Sequence, residues 1–226
     1  MTRIFAASFI LTLGTAALVA QTPPIRTVQA NGSATLFANP DQAQLEAGVV
    51  TNAATAQDSA QQNATLTTAV LQAIKAVLGA TGTVQTVSYN VSPRYSTSPG
   101  QTQTIVGYIT MNTVRVTTTD LSILGRLIDA ANQAGANNVG NLGFGLQDPE
   151  PKVQQALALA TKQAMGHANA IAAGLGTTIG PVISAQQGSA YSPVVVPGVA
   201  TGAVTTPVQT GTVSVFASVS LTAALQ

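Results

Sequence analysis

The sequence predicts an α+β fold, a mainly antiparallel sheet of about seven strands with three main helices. Three observations carry this. Several stretches alternate apolar and polar residues with a period of two, and three others repeat apolar residues at helical spacing between recognisable caps. The two kinds interleave as strand pair, helix, strand pair, helix, strand, helix, strand, strand, with no internal repeat of fixed period. Strands joined through hairpins become antiparallel neighbours, so residues 21–226 read as one interleaved α+β domain.

Residues 1–20 stand outside that fold. Arg3 supplies positive charge, residues 4–19 carry none, and small residues ending at Ala20 precede the polar Gln21, Thr22, Pro23 and Pro24. This is the pattern of a secretory signal peptide. The run lies at the short limit for a membrane span of ~20 residues, and no comparable stretch recurs. No stable membrane span is therefore expected after cleavage, and the expected location is periplasmic or secreted, in the cell envelope.

Within residues 26–50, two strand-like stretches flank Asn39, Pro40 and Asp41, a turn signal, and are expected to form a half-buried hairpin. In the second, Leu45, Ala47 and Val49 alternate with Gln44 and Glu46. Thr55 followed by Asp58 is a variant capping box. It opens a helix in which Leu66, Val70, Leu71, Ile74, Val77 and Leu78 recur at helical spacing until Gly79. Val87, Tyr89 and Val91, then Val106, Tyr108, Thr110, Asn112, Val114 and Val116, read as a second hairpin with a loose tip between Pro93 and Gln103.

Asp120 is a good N-cap for a second helix with Leu121, Leu124, Leu127, Ile128 and Ala131 on one stripe, ended by Gly135. A short strand follows over 139–146. Asp148, Pro149 and Glu150 then supply a cap, a proline at the first helical position and a first-turn acid. The third helix should turn Val153, Leu157, Ala160, Ala164, Ala168 and Ile171 inward, a face small enough for close approach. The chain finishes with a strand over 181–187, a permissive loop at 188–211, and a strand in which Val213, Val215, Ala217, Val219 and Leu221 alternate with serines. Structureless connections as long as that loop are uncommon unless they serve a purpose. Tyr191, Val194, Val195 and Val196 make this one too apolar for a linker, so they are the candidate self-association residues.

Composition narrows function. The chain has one histidine, no cysteine, seven carboxylates and 7% charged residues, against about 25% in ordinary soluble domains. Hydrolytic, redox and metal chemistry draw on the scarce side chains, so the expectation is no enzyme, no catalytic residue, no cofactor and no metal. The net charge of +1 vanishes once Arg3 leaves with the leader. A neutral surface with scattered basic residues attracts neither nucleic acid nor anionic membrane.

Individual motifs agree. His167 lacks a nucleophile elbow nearby in sequence and reads as a helix-surface or satisfied core residue. Gly174, Gly176 and Gly180 are spaced almost like a phosphate loop but follow a helix, so they read as a C-cap and turn. Asp148 and Glu150 are too few for a calcium loop and suit capping. Tyr89, Tyr95 and Tyr108 form an aromatic strip in the hairpin or pack across it.

Four stretches in order, VQANGSAT at 28–35 with NPD at 39–41, GYITMNTVRV at 107–116, GFGLQDPE at 143–150 and VSVFASVSL at 213–221, resemble the SIMPL (DUF541) family of exported bacterial proteins. The resemblance covers nearly all of residues 21–226. It implies an α+β fold, envelope residence, self-assembly into ring-like or channel-like oligomers in some members, and a link to oxidative stress. It brings no catalytic residue. The expectation is thus a non-enzymatic envelope protein acting as a homo-oligomer, with a small-ligand or peptide-binding module using the 188–211 loop as the alternative.

Overall fold

The computed structural model describes residues 25–96, 103–188, 194–196 and 208–226, the three at 194–196 by their backbone. The elements run β1 (Thr27–Ala38), β2 (Gln42–Ala53), α1 (Ala56–Leu78), β3 (Gly82–Tyr95), β4 (Ile105–Thr118), a 3₁₀ turn (Leu121–Ile123), α2 (Leu124–Gln133), β5 (Asn138–Gly145), α3 (Glu150–Gly174), β6 (Ile179–Gln187), β7 (Val194–Val196) and β8 (Thr212–Leu225). Every recorded strand pair is antiparallel. The α+β class and the three helices are as the sequence predicts.

The strands divide into two sheets. One has the order β1-β8-β6, with β7 pairing the start of β8; the other has the order β3-β4-β2-β5. The hairpin expected within residues 26–50 does not form, because β1 pairs along β8 and β2 pairs with β4 and β5. The Asn39–Asp41 turn instead passes the chain from one sheet to the other, and Asp41 holds the return crossing by accepting from the Gln147 amide at 2.6 Å. The hairpin of β3 and β4 does form, from Gly82↔Thr118 to Tyr95↔Ile105, with register shifts between Thr86 and Ser88 and between Arg94 and Tyr95.

Helix α3 covers the first sheet, and α1 and α2 cover the second. Beneath α1 and α2 the core holds Leu45, Val49, Val70, Ile74, Leu124 and Leu127. The Thr55 hydroxyl accepts from the Asp58 amide and starts α1, and Gly79 at φ +56° stops it, a conformation glycine adopts without Cβ cost. The buried row of α1 differs from its apolar repeat: Ser59, Asn63 and Thr67 lead into Val70, Ile74 and Leu78, while Leu66 lies at the surface.

The inner row of α3 is more uniform than its sequence repeat suggests. Val153 is followed by Ala156, Ala160, Ala164, Ala168 and Ala172, all buried, whereas Leu157 is only partly buried and Ile171 is exposed. Residues four apart line one helix face. A row of methyl groups lets the helix axis settle close to the sheet. Gly32 completes the fit, since a Cβ there would collide with the Ala160 carbonyl and the Ala164 amide. The small face foreseen for α3 is thus filled by its own sheet.

Part of the 188–211 loop is a strand, with Val194, Val195 and Val196 opposite Ser214, Val213 and Thr212. Tyr191 lies outside the described residues, as do residues 1–24.

Candidate functional site

The close seating of α3 produces a local construction at the margin of β1. Arg26 accepts from the Leu225 amide across the sheet, so even-numbered residues of β1 turn their backbone groups toward β8 and odd-numbered ones toward the free edge. An open edge of this kind leaves donors and acceptors unpaired. Two side chains one turn apart on α3 cap it: Gln163 Oε1 accepts from the Ser33 amide at 2.7 Å, and His167 Nδ1 meets the Asn31 carbonyl at 2.7 Å. Because a carbonyl only accepts, Nδ1 carries a proton and donates this bond, which leaves Nε2 turned away from it.

His167 and Gln163 form one rim of an open depression of about 400 Å³. It runs across the sheet past Asn31, Ser33, Ser218 and Ser220 to Gln186 and Gly188. Asn31 lies opposite Ser220, Ser33 opposite Ser218, and Gln186 also opposite Ser220, so these side chains share the face turned away from α3. No charged side chain lines it. His167 is exposed, and its orienting partner is a backbone carbonyl, where an acid–base triad would use a carboxylate. The arrangement offers neutral donors and acceptors on a rigid sheet.

Two further polar clusters lie in the second sheet. Under α1, Ser59 and Asn63 are completely buried. The Ser59 hydroxyl lies 2.8 Å from that of Thr110, Thr51 donates to the Ser59 carbonyl at 2.8 Å, and Asn63 Nδ2 donates to the carbonyls of Val49 and Thr110 at 2.7 and 3.2 Å. The neighbouring Asn112 Oδ1 is buried without a partner. Sequence reasoning missed this cluster, although polar residues at 59, 63 and 67 precede the apolar 70, 74 and 78 on one face. On the opposite side of the sheet, Glu46 accepts from Arg115 at 2.7 Å and from Asn141 at 2.6 Å. The Asn141 amide, then the Arg115 guanidinium, hold the Glu46 carboxyl below the usual carboxylate range.

Asp148 Oδ1 accepts from the Glu150 amide and Glu150 accepts from Gln154, so both serve the start of α3. Gly176 at φ +69° turns the chain out of α3, with Thr177 N–H donating to the Ala172 carbonyl. Tyr89 and Tyr108 share one side of the hairpin but stand opposite Asn112 and Pro93, four residues and about 13 Å apart along the strands, so they do not gather into one aromatic site. Gln163 was not foreseen; its signal is its position one turn before His167. Among the described residues no helix is long and apolar enough to cross a membrane.

A family model described as SIMPL, a protein of unknown function (DUF541), matches residues 28–223. The chain is 33% identical over 92 residues to the uncharacterized protein YggE of Edwardsiella ictaluri, covering 41% of this chain and 38% of that protein. It is 27% identical over 166 residues to the 26 kDa periplasmic immunogenic proteins of Brucella melitensis and Brucella abortus, covering 72% of this chain and 66% of each relative. Each match thus spans less than two thirds of the relative's length.

Proposed function

From the membership of this chain in the SIMPL (DUF541) family, we propose that it is an exported, non-enzymatic envelope protein that acts through self-association into homo-oligomers and contributes to stress tolerance. In this reading residues 1–20 are a signal peptide and the remainder resides in the periplasm, the location printed in the name of the Brucella relatives.

The observation that carries the assembly reading is the outer half of the β3–β4 hairpin. Val87, Tyr89, Tyr95, Ile105 and Val106 are all exposed there, Tyr89 by 58% and Val106 by 56%. The hairpin is also the margin of its sheet, with β3 paired on one side only. Exposed apolar groups on a nearly uncharged surface favour association. Tyr191, Val194, Val195 and Val196 are proposed as a second contact. Light scattering on the exported protein tests the reading. A mass several times that of the protomer is expected, with an N-terminus at or near Gln21 by intact-mass analysis. A monomer at micromolar concentration overturns it.

A second reading, a small-ligand or peptide-binding module using the 188–211 loop, is favoured by one observation: Gly188, the first residue of that loop, lines the depression beside His167.

A further inference from the structure

We propose that the face of the first sheet turned away from α3 binds an uncharged oligosaccharide, with the depression beside His167 holding its hydroxyl groups and Phe216 stacking on a sugar ring. This rests on the binding-module reading and names its ligand.

Along β1 and β8 the polar side chains of this face are hydroxyls and amides, among them Gln29, Asn31, Ser33, Ser218 and Ser220, with no acid or base. Anionic ligands need fixed positive charge or charge-assisted donors, and here there are none. Neutral donors and acceptors in pairs match a ligand rich in hydroxyl and acetamido groups, since each such group both donates and accepts or does so through adjacent atoms.

Several of these groups are held in place. The Gln29 amide donates to the Ser220 hydroxyl at 3.4 Å. His167 and Gln163 are anchored by the β1 backbone, and these bonds occupy Nδ1 of His167 and Oε1 of Gln163. His167 Nε2 and the Gln163 amide nitrogen make no hydrogen bond among the described residues. Groups fixed before binding lose little freedom when a ligand arrives.

The second half of the recognition is aromatic. Phe216 lies two residues from Ser218 on the same face of β8, and Phe37 is its diagonal neighbour, because Phe216 pairs with Thr35 and Phe37 with Ser214. Diagonal pairs on one face lie within reach of aromatic side chains. Phe37 is 64% and Phe216 41% exposed, on a sheet whose other face buries every valine of β8. A pyranose ring has a hydroxyl-bearing rim and an apolar C–H face, and that face suits an aromatic ring beside neutral polar groups. From Ser214 to Ser220 the strip spans about 20 Å along the strand, a length for an oligosaccharide more than for a single sugar.

The test uses the exported protein and N-acetylchitotriose, a neutral, acetamido-bearing trisaccharide, with saturation-transfer NMR and calorimetry. Transfer to the ring protons is expected, with an affinity unchanged between low and high salt. Phe216→Ala and Gln186→Ala, both at exposed positions, should each weaken binding about fivefold, and Gln61→Ala on the exposed side of α1 should not change it. Absence of transfer, an affinity that falls with salt, or indifference to Phe216→Ala overturns the proposal. An uncharged Gly-Ser-Gln-Asn peptide run in parallel separates the two levels of failure. If the peptide alone binds in a Phe216-dependent way, the saccharide is wrong and the binding module stands. If neither probe binds, both fall.

Discussion

Gly32 of β1 lies directly under Ala164 of α3, so that the helix backbone occupies the space a side chain at position 32 would need. Small residues are thus required on both partners. The alanine row of α3 supplies one side, and Gly32 is the point on the sheet where the approach is closest.

Gly32→Ala should therefore lift the helix or strain the strand. Overpacking of a tight core costs about 1–3 kcal/mol, and the collision here is with backbone, which cannot rotate away. The thermal unfolding midpoint by circular dichroism is expected to fall by several degrees, while Gly140→Ala, where an added Cβ meets nothing, should change it little. Equal midpoints for the two variants would show that α3 does not sit so close.

Asn63→Ala should be destabilising although the residue is polar. The side chain is completely buried, donates to two carbonyls and accepts from the Thr67 hydroxyl. Its removal strands those partners at a cost of about 1–3 kcal/mol. Gln61→Ala, on the exposed side of the same helix, should stay within about 0.5 kcal/mol. Chemical denaturation with a common slope separates the two.

Glu46 gives the stability a dependence on acid. Its folded-state carboxyl is held below the usual range by the Asn141 amide and the Arg115 guanidinium, so folding favours its ionised form. The contribution is present above the ordinary carboxylate range and is lost as pH falls through the folded value. Glu46→Gln should be less stable than the native chain at neutral pH, and the gap should narrow in acid. A gap constant with pH would mean the carboxylate is not favoured by its partners.

Replacing Val194, Val195 and Val196 together with Ser tests the loop contact. If these side chains meet a neighbouring subunit, the apolar loss is on the order of several kcal/mol per interface at ~25 cal/mol per Å², before the costs of association. Closed symmetric assemblies repeat that loss at every interface. The mass by light scattering should drop toward the protomer with an unchanged circular dichroism spectrum. Retention of the full mass would leave the β3–β4 hairpin as the proposed contact.

Much of the local structure is legible in the sequence because its causes are local. Thr55, Asp120 and Asp148 each accept from a backbone amide at the start of a helical segment, and a cap acts within a few residues of itself. The alternation in residues 213–221 is likewise a property of the pleat, and it correctly marks Val213, Val215, Ala217, Val219 and Leu221 as buried.

Partner choice is not local. Alternation says that β1 has an inner and an outer face but not which strand lies beside it, and the turn at Asn39–Asp41 reads as a hairpin equally well as a crossing between sheets. Pairing β1 with β8 joins the two ends of the fold, Thr27 opposite Ala224, and only the combined burial of both strands under α3 selects it. The depression beside His167 has the same origin. Asn31, Gln163, Gln186 and Ser218 are ordinary surface residues in sequence, and they converge because α3 settles onto Gly32. The chain by itself determined its elements, caps and inward faces, through interactions spanning a few residues. The tertiary structure decided the strand partners and the candidate site, because these depend on burial shared between segments far apart in sequence.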